Sequence, residues 1–509
     1  MLHSGRDPFW LSACLPALLL FHFGAQATLG FDPELGRLRE GFAASSYLSL
    51  VLGFALWLIS GRIMGLQSRP LPAPSMPNSG KGRWALALSL AMLAAALASV
   101  SYGAWASEAL EWDGFVGWEL RAKTLSPVLA PSSELALAPP VPVDPAVFLP
   151  SMQYPLLLPA LGAELRHGFG PGGERFASIL ILVLWIGLFA AVAHSLRLGR
   201  LRGSLLVLAF GLTPMLYSTG SGGADSGYAE ILLGYVLTLC SAGLLLRFWP
   251  LLFLGSALLI WSKPEGLAYA LLLLLVTAFT SKGRGLHYAA SLGLAIGLAL
   301  WLPLRAQLSF AATPSWWLAL ALPLAAIGAK EAMLRWPLLR RRWRMLSLLS
   351  LLAAFALTFS CQELFRESSS LLLRDFLGHP ERLFERFALL PEILLGVLQA
   401  FLEFKKYGLV FVLLLVLWLL PKLRRWRPRL PSPLAFVLVG LVLCSLTLVF
   451  GPEADIEHEL ESRFDRLLLH WVGPCWLALA PWLARAWAGV AAPGLASPAA
   501  SSDPAPGSR

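Results

Sequence analysis

The feature that most constrains this chain is a set of long stretches almost free of charge, among them Trp84–Ala106 and Ile179–Leu196. A helix needs roughly 20 apolar residues to cross about 30 Å of hydrocarbon. Inside lipid every backbone donor and acceptor must be satisfied within the segment, so runs of this kind are helices. The alternating ten-residue pattern of a membrane β-barrel does not occur. Composition agrees: 57% of the 509 residues are hydrophobic and 14% charged, against about 25% charged in a soluble domain. The expected fold is all-α, a polytopic integral membrane protein.

Candidate spans lie near 9–29, 45–61, 84–106, 176–196, 203–219, 228–246, 249–261, 266–281, 287–304, 316–333, 345–360, 408–420, 433–450 and 467–485. This gives about 13–14 transmembrane helices, the short run 249–261 being the weakest. Arg6, the apolar stretch Phe9–Phe23 and Ala25-Gln26-Ala27 also have the outline of a signal peptide. We read the stretch as an uncleaved first helix.

The net charge of +10 would suit nucleic acid, but the positions of the charges argue otherwise. Basic residues cluster between apolar runs: Arg62 to Arg83, Arg197 to Arg202, Arg247, Lys282 with Arg284, five arginines in Arg335–Arg344 and five basic residues in Lys422–Arg429. With the spans above, all six clusters fall on one side, which the positive-inside rule makes the cytoplasm. Both termini share that side, and no nucleic-acid partner is expected. Connections 107–175, 220–227, 262–265, 361–407 and 451–466 fall on the opposite face. Tyr154–Leu165 is too short to span and would lie at the interface or re-enter, and 361–407 would carry an amphipathic surface helix. Five cysteines without a C-x-x-C pair indicate neither zinc nor a disulfide framework. Four regions follow: 1–83 with two helices and a basic loop, 84–300 with the large outer loop, 301–490 with the remaining helices, and an Ala/Pro/Ser-rich tail, 491–509, expected to be disordered.

The outer connections hold the residues with chemical potential. Glu111 and Asp113 are either a solvated acidic loop or a general base taking a proton from an attacking acceptor. Trp112 and Trp118 would anchor that loop at the headgroups, and Arg121 and Lys123 behind it suit a phosphate. Asp225 is either the N-cap of the next helix or a substrate contact. Lys263, in Trp261-Ser262-Lys263-Pro264-Glu265, either snorkels or holds a lipid phosphate. The acidic run from Glu453 to Glu461 is either solvated or a seat for a divalent cation, although no ligand set is readable. Arg463 and Arg466, at the outer edge of the last span, are placed to meet phosphate, while His470 packs within its helix. Motifs for nucleotide-driven pumps, zinc proteases and serine hydrolases are absent.

These pieces come in a suggestive order. Glu111-Trp112-Asp113-Gly114 follows an early span, Tyr154-Pro155-Leu156-Leu157 closes the same loop, Ala224-Asp225 opens a later span, and Ser262-Lys263-Pro264-Glu265-Gly266 separates two short helices. The arrangement resembles the GT-C superfamily of membrane glycosyltransferases, in particular bacterial relatives of protein O-mannosyltransferases and lipid A aminoarabinose transferase. The resemblance covers about residues 84–300. It implies transfer of a sugar from a polyprenyl-phosphate donor to a glycan, lipid or protein acceptor on the outer face. It also implies Asp113 as base with Glu111 beside it, and Lys263, Asp225, Tyr154, Arg463 and Arg466 around the donor phosphate. Two departures stand out: two spans precede the helix leading to the acidic loop, and no large soluble C-terminal domain is recognisable. A transporter or flippase would instead bury polar groups at mid-membrane and show symmetry between its halves. A scaffold or ligase without an aspartate base would tolerate loss of Asp113.

Overall fold

The computed structural model describes residues 13–32, 37–38, 80–106, 118–119, 122–123, 155–196, 198–217, 223–226, 229–263, 265–280, 284–308, 316–335, 384–385, 387–419, 432–449 and 456–490. Within them the architecture is all-α. Fourteen helices have ten residues or more, and the β content is one two-residue antiparallel bridge, Phe31 against Leu38 and Asp32 against Arg37. In chain order these helices are α1 (Leu15–Gly30), α2 (Gly80–Ala106), α3 (Leu157–Phe169), α4 (Phe176–Ser195), α5 (Gly199–Gly211), α6 (Glu230–Leu246) and α7 (Trp249–Ser262). They continue with α8 (Gly266–Thr280), α9 (Gly285–Leu308), α10 (Trp316–Arg335), α11 (Leu390–Leu402), α12 (Val410–Leu419), α13 (Ser432–Val449) and α14 (Asp465–Val490).

Twelve of the fourteen apolar runs are helical here; 45–61 and 345–360 lie outside the described residues, as does the tail 491–509. Among the described residues three helices are long and apolar enough to cross a membrane: Arg83–Ala106, Gly173–Ser195 and Gly285–Leu302. The first is the most telling. Leu86, Leu88, Leu90 and Met92 project outward from α2 between Trp84 and Trp105, which are 80% and 71% exposed. Twenty-one residues at 1.5 Å each separate the two indoles by about 31 Å, the thickness of the hydrocarbon that interfacial tryptophans bracket. Water would penalise such a surface; lipid does not.

Three expectations need adjustment. The run 203–219 is helical only to Gly211, because Pro214 has no N–H to donate; it opens a separate 3₁₀ turn, Pro214–Leu216. The Tyr154–Leu165 stretch becomes α3, and Leu157, Leu158, Ala160 and Ala163 bury one face against α1 and α4. In the 361–407 connection, α11 packs through Ile393, Gly396, Val397 and Ala400. Its outer face carries exposed Leu394, Leu395, Leu398 and Leu402 beside Glu392 and Gln399, so the exposed side is largely apolar.

The centre of the bundle is α6, buried from Glu230 to Leu244 and packed on α4, α7, α13 and α14. Helix α7 is buried along its whole length and lies between α1, α6, α8 and α9. The first helix belongs to this core, since Phe21 rests on Trp261 and Phe253 at ring distances of 5.0 and 6.1 Å. Close approach depends on small residues. Trp185 of α4 lies over Gly234 of α6 and Gly473 of α14; a Cβ at Gly473 would stand 2.7 Å from the indole nitrogen, and one at Gly234 would collide with the ring. The indole N–H donates to Thr238 Oγ1 at 2.8 Å, and the Thr238 hydroxyl donates to the Gly234 carbonyl at 2.8 Å. Small residues that let helices approach, joined by interhelical hydrogen bonds, are the means by which helices associate in lipid.

Gly473→Val therefore forces Trp185 away from both helices. We expect a loss of about 1–3 kcal/mol, seen as a lower melting temperature of the purified protein in detergent, while Gly187→Ala, where an added Cβ meets nothing within 4 Å, leaves it unchanged.

Candidate functional site

Four element ends meet at one end of the central helices. Glu230 is the first residue of α6 and Lys263 occupies the break between α7 and α8. Asp465 and Arg466 open α14, and the single turn Phe404–Tyr407 precedes α12. The break is built into the sequence. Lys263 is extended, at φ −161° and ψ 157°, the Gly266 N–H donates to its carbonyl at 2.9 Å, and a Cβ at Gly266 would collide with the Leu259 carbonyl. Glycine is thus required for α8 to restart beside the end of α7.

At the heart of the cluster is the Glu230 carboxylate, fully buried. Its Oε1 accepts from Lys263 Nζ at 2.9 Å and from Arg466 Nε at 2.9 Å. Lys263 also pairs with Glu265 at 3.3 Å. Burial alone would favour the neutral amine; the carboxylates of Glu230 and Glu265 more than offset it and hold the Lys263 pKa above the ordinary lysine value. Exposure grades outward: the Glu230 side chain is 0% exposed, Lys263 12% and Arg466 25%. The acid is the innermost of the three and Arg466 the most exposed. Behind them, His470 of α14 is buried, with Nδ1 3.3 Å from the Tyr269 hydroxyl.

A second pairing adjoins the first along α14. Asp465 accepts from Lys406 Nζ at 2.6 Å and from the Tyr407 hydroxyl at 2.6 Å, and Glu403 contacts Lys406 at 3.2 Å. Partial burial works against the Lys406 charge, but the bond to Asp465 prevails and raises its pKa. The turn Phe404–Tyr407 packs on the 3₁₀ turn Pro214–Leu216, and the Leu216 carbonyl accepts from the Ala224 N–H at 2.9 Å. Those contacts bring the 224–226 turn to the same end of the bundle.

A separate ionic knot follows the acidic loop. Glu119 and Glu174 are both buried. Lys123 bridges them, Arg175 reaches Glu119 at 3.4 Å, and Arg166 reaches Glu174 at 2.9 Å. The Gly172 N–H donates to Glu174 at 3.1 Å. Trp118 and Glu119 line a small cavity closed by Leu158, Gly162 and Ser178. The knot ties residues 118–123, early in the 107–175 connection, to its last residues and the start of α4.

The sequence-predicted residues divide accordingly. Glu111, Asp113 and Tyr154 lie outside the described residues, as do Trp112 and Arg121. Arg463 lies in the π-helical turn Leu460–Phe464, of which the backbone is described. Lys263 and Arg466 come together, although they are 203 positions apart, and both bind a protein carboxylate. Asp225 is half-buried in the 224–226 turn and is not the N-cap of α6. That position belongs to Ala229, which supplies no side-chain cap, because residues 227–229 intervene. Among the described residues no group of three or more His, Cys, Asp and Glu is placed to hold a metal ion. Sequence reasoning missed Glu230, Asp465, Lys406 and Tyr407. For Glu230 a signal existed: an ionisable residue inside an apolar span is a functional candidate in its own right.

Asp465→Ala leaves Lys406 and Tyr407 without their buried acceptor. We expect destabilisation of about 3 kcal/mol or more, against less than about 1 kcal/mol for Glu403→Ala at the exposed partner, measured by chemical denaturation in mixed micelles. No family model, curated protein or solved structure matches the chain.

Proposed function

We propose that this chain is a polytopic membrane glycosyltransferase of 13–14 spans. It takes a sugar from a polyprenyl-phosphate-linked donor and passes it to a cell-envelope glycan, lipid or protein on the extracytoplasmic face of a bacterial inner membrane. The observation that carries the reading is the convergence of Lys263 and Arg466 at the mouth of the site, backed by buried Glu230. Both residues were assigned to the donor phosphate from their order in the sequence, and three-dimensional proximity is what that assignment requires. Their connections, 262–265 and 451–466, belong to the side that the basic clusters assign to the exterior, and so does the start of α6.

Polyprenyl phosphate is a good leaving group whose lipid stays in the bilayer. The transferase has to gather a base, an acceptor and a cationic clamp at the membrane surface. Asp113 is the proposed base, with Glu111 as its neighbour, and takes the proton of the attacking hydroxyl or amine as the acceptor displaces the phosphate. Lys263 and Arg466, with Arg463 close in sequence, stabilise charge on the departing phosphate. Asp225 and Tyr154 complete the donor site in this reading. The knot around Glu119 and Glu174 anchors the loop that carries Asp113, and a divalent cation would enter from the acidic segments.

Buried Tyr269 and His470 favour one second reading, a transporter whose coupling groups lie inside the bundle. A transfer assay separates the two. Proteoliposomes given labelled sugar on polyprenyl phosphate should show transfer in wild type, and Asp113→Asn should lower the rate by about 100-fold or more with insertion and melting unchanged. Equal rates in the two proteins would remove Asp113 from the mechanism. Uptake of a solute or lipid with no transfer from any donor would favour the transporter.

A further inference from the structure

We infer that Glu230 is a positioning residue, which sets the spacing and orientation of Lys263 and Arg466 for an anionic lipid headgroup; this rests on the transferase reading above. The two cations come from elements with no other reason to meet: a break after α7 and the first turn of α14. One carboxylate oxygen, on a third helix, takes a 2.9 Å bond from each. The second oxygen, Oε2, is buried without a hydrogen-bond partner among the described residues. Both cations are therefore referred to a single atom, and that atom sits at the head of α6, which is buried from Glu230 to Leu244.

Two opposite effects of this carboxylate on an incoming phosphate can be distinguished. As a competing anion it would occupy the cations and weaken binding. As a positioning group it keeps two like charges side by side and charged, which they would not remain unaided in a site this enclosed. The geometry favours positioning. Glu230 contacts both cations while fully buried itself, whereas the partly exposed Glu265 also pairs with Lys263 and Arg466 keeps 25% of its side chain exposed. A phosphate arriving from the open side meets donors already held, and the ordering cost has been met during folding. Without the carboxylate, mutual repulsion drives the flexible Lys263 side chain outward into water and the pair loses its fixed separation.

The two effects predict opposite signs, so a binding measurement decides between them. Purified full-length protein in detergent is titrated with decaprenyl phosphate, the uncharged decaprenol and inorganic phosphate, following bound lipid by native mass spectrometry. Wild type should prefer decaprenyl phosphate to both comparators. Glu230→Gln should weaken decaprenyl phosphate by at least ~10-fold and leave decaprenol unchanged, a selectivity that general loosening of the fold does not produce. Glu230→Asp keeps the charge and should fall between wild type and Glu230→Gln. If Glu230→Gln does not fold, Glu230→Asp decides alone, by weaker binding of decaprenyl phosphate with decaprenol unaffected. Equal or tighter phosphate binding in the folded variant overturns the inference, as does a wild type that fails to distinguish decaprenyl phosphate from decaprenol. Wild-type binding that depends on Glu230 but is accompanied by no sugar transfer from any donor would strike the transferase reading and leave the role of Glu230 intact.

Discussion

Trp185 is the contact on which the rest of the bundle depends. Helices α4, α6 and α14 meet at this one indole, and they meet closely because two of the three present glycine to it. Its N–H is used by Thr238, its ring lies 5.2 Å from Phe210 of α5, and Phe189 stacks on Phe210 at 3.8 Å. A soluble core gains roughly 25 cal/mol for each Å² of apolar surface withdrawn from water. Helices that face lipid gain almost nothing that way, so shape complementarity and the few hydrogen bonds between helices have to provide the specificity. The outward-facing leucines of α2 and α11 show where apolar surface was never meant to be withdrawn at all.

The fixed axial position of α6 against α14 has a chemical consequence. Gly234 and Glu230 are one helical turn apart on α6, and Gly473 and Arg466 are about two turns apart on α14. The contact that holds Gly234 against Trp185 also sets where Glu230 meets Arg466. Packing in the middle of the bundle and ion pairing at its end are one register, read at two heights. A slip of either helix would separate a buried carboxylate from its cation, which costs several kcal/mol; the charged end thus discriminates against wrong registers that the apolar middle tolerates.

The helices were legible in the sequence because an apolar run of sufficient length has one outcome in hydrocarbon. Even the short run at 249–261 is a complete buried helix, α7. The end of α5 was less legible, since hydropathy continues past Gly211 while Pro214 interrupts hydrogen bonding. The outer face of α11 was less legible, because the charges of the 361–407 connection suggest a polar face whereas the helix exposes four leucines beside Glu392 and Gln399. For the site, sequence order identified Lys263 and Arg466 but not what joins them. Glu230 falls inside the apolar run 228–246 and is not singled out by it. Its role is a tertiary fact, since nothing local at position 230 announces partners 33 and 236 residues away.

Where the polar groups sit separates the two functional readings in physical terms. A carrier that moves an ion or solute across the bilayer needs exchangeable charge near the midplane. Here Glu230 begins its helix, Lys263 lies between two helices and Arg466 is in the first turn of α14. The salt bridges of Glu331 with Arg284 and Arg335 likewise involve the start of α9 and the last turns of α10. Charge at helix ends can meet a headgroup without either leaving the interface, which the proposed transfer from a lipid-anchored phosphate would require. Away from the helix ends, Tyr269 and His470 are buried within hydrogen-bond distance of one another, and His22 is buried midway along α1. The first two lie directly behind the ionic cluster and extend it by one polar layer, without continuing it as a path through the bundle.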